Sequence, residues 1–212
     1  FMFPYDYPAQ EVKNLLDKNN LSLVLFNLPA GNWAAGDRGV AVDPRRVEEF
    51  RAGVAMAVEY AKVLGTPRLN CLVGKKLADV PVAEQQETLI DNLRFAADAM
   101  AAASLTLLVE PLNAKDMPGF TLSTTCQVFA VIEAVNRPNV KLQYDVYHAQ
   151  RMEGELVGTL RKELARIGHI QIADNPGRHE PGTGEINYRF VFAAMDEVGY
   201  AGHVGLEYIP AA

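Results

Sequence analysis

At 212 residues, with 49% of them apolar and 22% charged, the chain has the size and composition of a soluble globular protein that can bury one sizeable core. Its formal charge of −6 is spread through helical stretches, so it offers no basic face for phosphates, and nucleic acid is not an expected partner. No apolar run approaches the ~20 residues that span a bilayer and no signal-peptide pattern is visible, so a cytoplasmic protein with no membrane partner is expected.

The chain opens on Phe1-Met2-Phe3-Pro4, which reads as the tail of a strand. Strand-like runs then recur at Leu21 to Leu28, Arg68 to Val73, Leu105 to Val109, Val140 to Tyr144, His169 to Ile172 and His203 to Leu206. Helix signals fill the gaps. Asp43 before Pro44 is an N-cap with proline at the first helical position, and Gly65 closes that helix after Leu64. Val82 to Ala103 reads as one long amphipathic helix, Ser123 and Thr124 are candidate caps before Val128 to Val135, and Asn187 caps a run that ends at Val198-Gly199. Cys71 falls in a strand and Cys126 near a helix start, with no zinc spacing, so both are expected as free thiols.

Strand then helix, repeated with nearly continuous apolar strands, implies a parallel sheet covered by helices. No Gly-x-Gly-x-x-Gly follows a strand, and the Gly182-Thr183-Gly184-Glu185 stretch lacks the lysine of a P-loop. The expectation is a single α/β domain over residues 1–212. It would be a (β/α)8 TIM barrel lacking its first β/α unit and most of its second strand.

Each of the last four strands runs into an oxygen-bearing side chain: Glu110, Asp145, Gln171 and Glu207, spaced by about one strand-helix unit each. Side chains at the carboxyl ends of barrel strands converge on one mouth. Three carboxylates gathered there would repel unless a cation joined them, and an all-oxygen set suits Mg²⁺, Mn²⁺ or Ca²⁺ better than zinc. A divalent metal, Mg²⁺ or Mn²⁺, is therefore expected on Glu110, Asp145, Gln171 and Glu207. His148, three positions after Asp145, would place an imidazole on the loop above the metal. Asn113, Asp174, Asn175, Arg178 and His179 lie on the loops after Glu110 and Gln171, where substrate contacts are made. Arg178 stands out because a guanidinium binds a carboxylate bidentately, whereas Lys75 and Lys76 are weaker candidates. His169 and His203 begin strands at the other end and read as structural.

At this point the residues match a known family. Phe3-Pro-Tyr-Asp-Tyr7, Asn27-Leu-Pro-Ala-Gly31, Trp33-Ala-Ala-Gly36, Asn70-Cys-Leu-Val-Gly74, Glu110-Pro111, Gln143-Tyr-Asp145, Gln150-Arg-Met-Glu-Gly154, Gln171-Ile-Ala-Asp-Asn-Pro176, Glu180 to Tyr188 and Gly205-Leu-Glu-Tyr208 closely resemble hydroxypyruvate isomerases of the xylose-isomerase-like group. The resemblance implies metal ligands at Glu110, Asp145, Gln171 and Glu207, with Glu110 and Glu207 as the acid/base pair. It also implies interconversion of hydroxypyruvate and tartronate semialdehyde through a metal-stabilised enediolate, with His148, Arg178, Asn113 and Asp174 contacting a small hydroxy-keto acid. A sugar or sugar-acid isomerase or epimerase on the same constellation, and a non-catalytic sugar-binding protein, remain as alternatives. A zinc endonuclease would need more histidines at strand ends. Assembly into a homo-oligomer stays open.

Overall fold

The computed structural model describes residues 2–211, which group into two compact units. The first holds the chain up to Val109 together with Gly119–Thr121 and Ala130–Lys141. The second holds Glu110–Pro118, Leu122–Phe129 and the chain from Leu142 onward. Among the described residues no helix is long and apolar enough to cross a membrane.

The first unit contains α1 (Ala9–Lys18), β1 (Phe26–Asn27), α2 (Val47–Leu64), β2 (Arg68–Cys71), α3 (Val82–Ala101) and β3 (Thr106–Val109). The strands are parallel and in chain order, with Phe26 opposite Leu69 and Leu69 opposite Leu107. β1 is much shorter than the run from Leu21, because only Phe26 and Asn27 find partners on β2, while Leu21 is 62% exposed. The Asn27 N–H donates to the Met2 carbonyl at 3.0 Å, a single backbone bond without a strand around it; Phe1 lies outside the described residues. Asp43 caps as expected, accepting from the Arg45 N–H at 3.0 Å, and one 3-10 turn (Pro44–Arg46) leads into α2. Gly65 ends α2 at φ 69°, a left-handed conformation that costs glycine nothing. Val54, Ala57 and Ala61 of α2 and Leu89, Leu93 and Met100 of α3 are buried with Phe26, Leu69 and Leu107, each large side chain contributing about 1.5–3 kcal/mol.

The second unit is built on Leu142–Asp145 of β4 (Val140–Asp145), β5 (Ile167–Ile172) and β6 (Val204–Leu206), again parallel and in chain order. α4 (Thr125–Val135) begins with a reciprocal cap. The Thr124 hydroxyl accepts from the Gln127 N–H at 3.3 Å, while the Gln127 side-chain oxygen accepts from the N–H groups of Ser123 and Thr124 at 2.7 and 3.2 Å. The Glu153 carboxylate also accepts from the Thr125 N–H and hydroxyl at 2.6 and 2.8 Å, setting negative charge at the positive helix end. Asn187 caps α7 (Tyr188–Glu197) by accepting from the Phe190 N–H. Two helices, α5 (Val146–Met152) and α6 (Leu156–Glu163), lie between β4 and β5. His169 does not begin β5 as expected. The strand starts at Ile167, and His169 sits within it, buried and opposite Gln143. His203 precedes β6 and is exposed. Both cysteines are free; Cys71 is buried, which pushes its thiol up to about 12, whereas Cys126 is exposed.

Candidate active site

β4 delivers the centre of the site through its two-residue alternation, which puts Gln143 and Asp145 on one side and Tyr144 on the other. Register then sets Asp145 beside Gln171 of β5. Glu110 follows β3 directly, and Glu207 follows β6, its N–H donating to the Ile172 carbonyl at 3.2 Å. Glu110, Asp145 and His148 are all buried, and a ligand atom from each lies within 4.8 Å of the other two. Gln171 is tied to this group by Gln143, whose side-chain amide donates to the Gln171 Oε1 at 2.6 Å and to the Glu110 carboxylate. Among the described residues Glu207 is outside the 4.8 Å group; Arg178 links it in, with Nη2 at 3.2 Å from Glu207 Oε1 and 3.5 Å from Asp145 Oδ2.

Removal from water and mutual repulsion govern the charges. Burial holds Glu110 well above the usual carboxylate range, and the charges of Glu207 and Asp145 push it further, against a smaller opposing pull from Arg178. Asp145 is raised by burial and partly restored by Arg178 and by the N–H groups at the start of α5. Glu207 shifts upward for the same first reason, but its side chain keeps 45% of its surface in water, so it is less strongly held from ionising than Glu110. Arg178 itself is destabilised by burial, yet Glu207, Asp145 and Glu110 together more than compensate and hold it charged. Its pairing is with the site acids, not with Glu180 or Glu185 on its own loop. Arg178 has φ 59°, an uncommon region for a non-glycine residue. Its Nε bond to the Glu207 carbonyl at 3.1 Å and the Ile209 N–H to its own carbonyl at 2.7 Å hold it there.

His148 is not on a loop. Asp145 accepts the Tyr147 N–H at 2.8 Å and so starts α5, which places His148 in that helix's first turn, 4% exposed. Its Nδ1 faces two donors, the backbone N–H of Asn113 at 3.2 Å and the Asn113 side-chain amide at 2.7 Å. An amide N–H cannot accept, so Nδ1 carries the lone pair, and the neutral ring holds its proton on Nε2. Burial and the charge of Arg178 lower its pKa to about 3, which keeps the ring neutral. Metal-binding histidines show the reverse arrangement, the distal nitrogen donating to an acceptor. Nε2, 3.7 Å from Asp145 Oδ2, therefore presents a proton to the site, not a lone pair.

Two expected substrate contacts turn out to face the protein. Asn113 is fully buried and spends its side chain on His148 and Asp116. Asp174 is also fully buried, and its carboxylate gathers the loop that follows. It accepts from the N–H groups of Asn175 at 2.9 Å, Gly182 at 2.7 Å and Ile186 at 3.1 Å, and from that of Gly184. Burial alone would raise its pKa, but these bonds outweigh it and leave Asp174 below its usual range. Gly184 is required there, since a Cβ would lie 2.2 Å from the Asn175 carbonyl oxygen. The Asn175 side-chain amide donates to Glu185, and His179 Nδ1 bonds the Ile209 carbonyl.

Sequence reasoning passed over Gln143, whose place two residues before Asp145 on an alternating strand was the available signal. It also passed over Asp116, Tyr147 and Arg151. Asp116 accepts from Asn113 Nδ2 at 2.9 Å, from the Tyr147 hydroxyl at 2.6 Å and from Arg151 at 2.6 Å. A cavity of about 430 Å³ lined by Glu155, Arg161, Glu185 and Phe190 contains none of the candidate residues.

A hard divalent cation fits this donor set. Two buried acids held above their ordinary range, an amide oxygen oriented by a neighbouring amide and a third, more exposed carboxylate are oxygen donors whose conflict a cation relieves.

A family model described as a xylose isomerase-like TIM barrel matches residues 1–212. The hydroxypyruvate isomerase of Escherichia coli strain K12 is 52% identical over 210 residues, covering 99% of this chain and 81% of the relative. A 2-oxo-tetronate isomerase of Cupriavidus necator is 45% identical over 212 residues, covering 100% of this chain and 82% of the relative. A crystal structure described as an AP endonuclease, family 2, from Brucella melitensis superposes with a TM-score of 0.97 at 43% identity, covering 100% of this chain and 82% of that one.

Proposed function

We propose that this chain, which belongs to the xylose isomerase-like TIM-barrel family and is an isomerase, moves a carbonyl between adjacent carbons of a small 2-oxo acid, with hydroxypyruvate as the preferred substrate. The observation that carries the reading is the buried group of Glu110 and Asp145 with Arg178 beside it: two acids crowded out of water, next to a guanidinium suited to a carboxylate.

Moving the carbonyl means taking a proton from the carbon next to it, returning one to the former carbonyl carbon, and passing one proton from the hydroxyl oxygen to the old carbonyl oxygen. Glu110 and Glu207 form the acid/base pair for this step, one taking the proton from carbon and one returning it. A divalent cation on Glu110, Asp145, Gln171 and Glu207 would supply Lewis-acid polarisation of the substrate oxygens. Gln143 serves these groups by donating to Gln171 Oε1, which keeps a second lone pair for the cation, and by holding Glu110. The Nε2–H of His148 donates to a substrate oxygen, and Arg178 pairs with the substrate carboxylate. Asn113 and Asp174 act through other residues: Asn113 orients His148, and Asp174 shapes the loop that carries Arg178.

The relatives named for 2-oxo-tetronate favour a second reading, a four-carbon 2-oxo sugar acid, which the same arginine and acids would serve. The endonuclease description of the Brucella protein has no counterpart here in a set of histidine ligands, since the nearby His148 donates. The reaction in D₂O tests the proposal. Deuterium should enter hydroxypyruvate at the carbon that loses its proton, and Glu110→Gln, which disturbs both the acid/base pair and the cation's ligand set, should greatly reduce this. No wash-in during turnover, or wash-in unchanged in the variant, would defeat it.

A further inference from the structure

We propose that Asp116, anchored by Arg151 and Tyr147, is a positioning residue that selects the Nε2–H tautomer of His148 by fixing which way the Asn113 side chain faces. The inference rests on the reading of His148 as a donor to substrate, and it concerns a residue outside the Glu110, Asp145 and His148 group.

The bonds form a chain from the surface to the buried ring. The Asp116 backbone N–H donates to Asn113 Oδ1 at 2.9 Å, and its carboxylate accepts from Asn113 Nδ2 at 2.9 Å. Two such contacts from one residue, one at each end of the amide, leave Asn113 a single favourable orientation. In that orientation Nδ2 faces His148 Nδ1 at 2.7 Å. Were the amide turned over, Oδ1 would oppose the Nδ1 lone pair and favour a proton on Nδ1, in conflict with the backbone N–H of Asn113 at 3.2 Å. The ring would then present a lone pair at Nε2, which can accept from a substrate hydroxyl but cannot polarise a carbonyl.

Asp116 is itself held in place. Arg151 Nη1 lies 2.6 Å from Asp116 Oδ1 and 2.5 Å from the Tyr147 hydroxyl, which donates to Asp116 Oδ2 at 2.6 Å. Tyr147 and Arg151 are four residues apart on α5, one turn, and the Arg151 guanidinium lies 5.4 Å from the Tyr147 ring centre. α5 therefore carries both the histidine and the clamp that orients it, while Asn113 and Asp116 come from the loop after Glu110.

Nitrogen NMR on the full chain labelled with ¹⁵N-histidine, without added metal, reads the tautomer directly; the chain has only four histidines, and His148→Asn identifies the signal. The wild type should show a proton on Nε2. Asp116→Ala should give a substantial fraction of the Nδ1–H form and a kcat lower by about 10-fold or more, with a smaller change in KM. Asp116→Asn, which keeps an acceptor oxygen, should restore much of both. If Asp116→Ala fails to fold, Asn113→Asp takes its place, since it exchanges the donor facing Nδ1 for an acceptor at equal size and should shift the tautomer in the same direction. Asp98→Asn, which breaks the exposed Asp98–Arg137 pair, should leave the tautomer unchanged. A folded Asp116→Ala, or Asn113→Asp in its stead, that retains the pure Nε2–H form overturns the proposal. The NMR signal needs no substrate. Absence of isomerase activity would therefore refute the functional reading alone, and an active enzyme whose tautomer ignores Asp116 would refute this inference alone.

Discussion

Replacing Glu110 with glutamine should make the metal-free protein more stable at high pH and the enzyme far less active. Charges no more than 4.8 Å apart on Glu110 and Asp145 repel by about 3.5 kcal/mol at an effective dielectric constant of ~20. The folded protein avoids this by keeping a proton on Glu110 that the unfolded chain releases near the ordinary value of 4.5. Stability from this group is thus fully present below pH 4.5 and is lost as pH rises through the folded value. Glutamine has no proton to lose. Thermal unfolding in chelator should show the variant near the wild type at about pH 5 and above it by pH 8, by an amount on the scale of those ~3.5 kcal/mol at roughly 2–4 °C per kcal/mol. Turnover with metal restored should fall by ~10²-fold or more. A variant no more stable than the wild type at pH 8 and retaining full turnover would refute the assignment of Glu110.

The remaining expectations follow from the same contacts. Exhaustive chelation should abolish turnover, and Mg²⁺ or Mn²⁺ should restore it; because Glu110 and Asp145 must give up protons to bind a cation, calorimetry should show Mn²⁺ affinity rising with pH and protons released on binding. Arg178→Met should raise KM for hydroxypyruvate far more than it changes any turnover of a neutral ketose. Asp174→Ala leaves several backbone N–H groups of the 175–186 loop without their acceptor, and should lower stability by about 2–4 kcal/mol in denaturant titration and expose that loop to protease.

The fold was largely visible in the sequence because strand and helix periods are local signals. Asp43-Pro44, Gly65, Thr124 and Asn187 all mark helix ends where chain chemistry places them. β1 was overread, since a Leu-rich run says nothing about whether a neighbour is there to pair with it. At the site, the placement of Glu110, Asp145, Gln171 and Glu207 at or near strand ends was legible from their regular spacing. His148 was misplaced because Asp145 does two things: its carboxylate faces the site and also caps α5, which turns the next residues into helix. Asp174 and Asn113 looked like ligand contacts because sequence cannot show a loop folding back onto its own first residue, or an amide spent on a buried ring. Asp116 was invisible for the same reason, its partners lying 31 and 35 residues away in the chain.

The most direct test of the central claim is kcat/KM measured side by side for hydroxypyruvate, 2-oxo-tetronate and a neutral ketose, with Mg²⁺ or Mn²⁺ present. The site predicts that both acids exceed the neutral sugar and that hydroxypyruvate leads, because Arg178 stands among the acids where a substrate carboxylate needs a counter-charge. A neutral ketose turned over with a higher kcat/KM than either acid would contradict it.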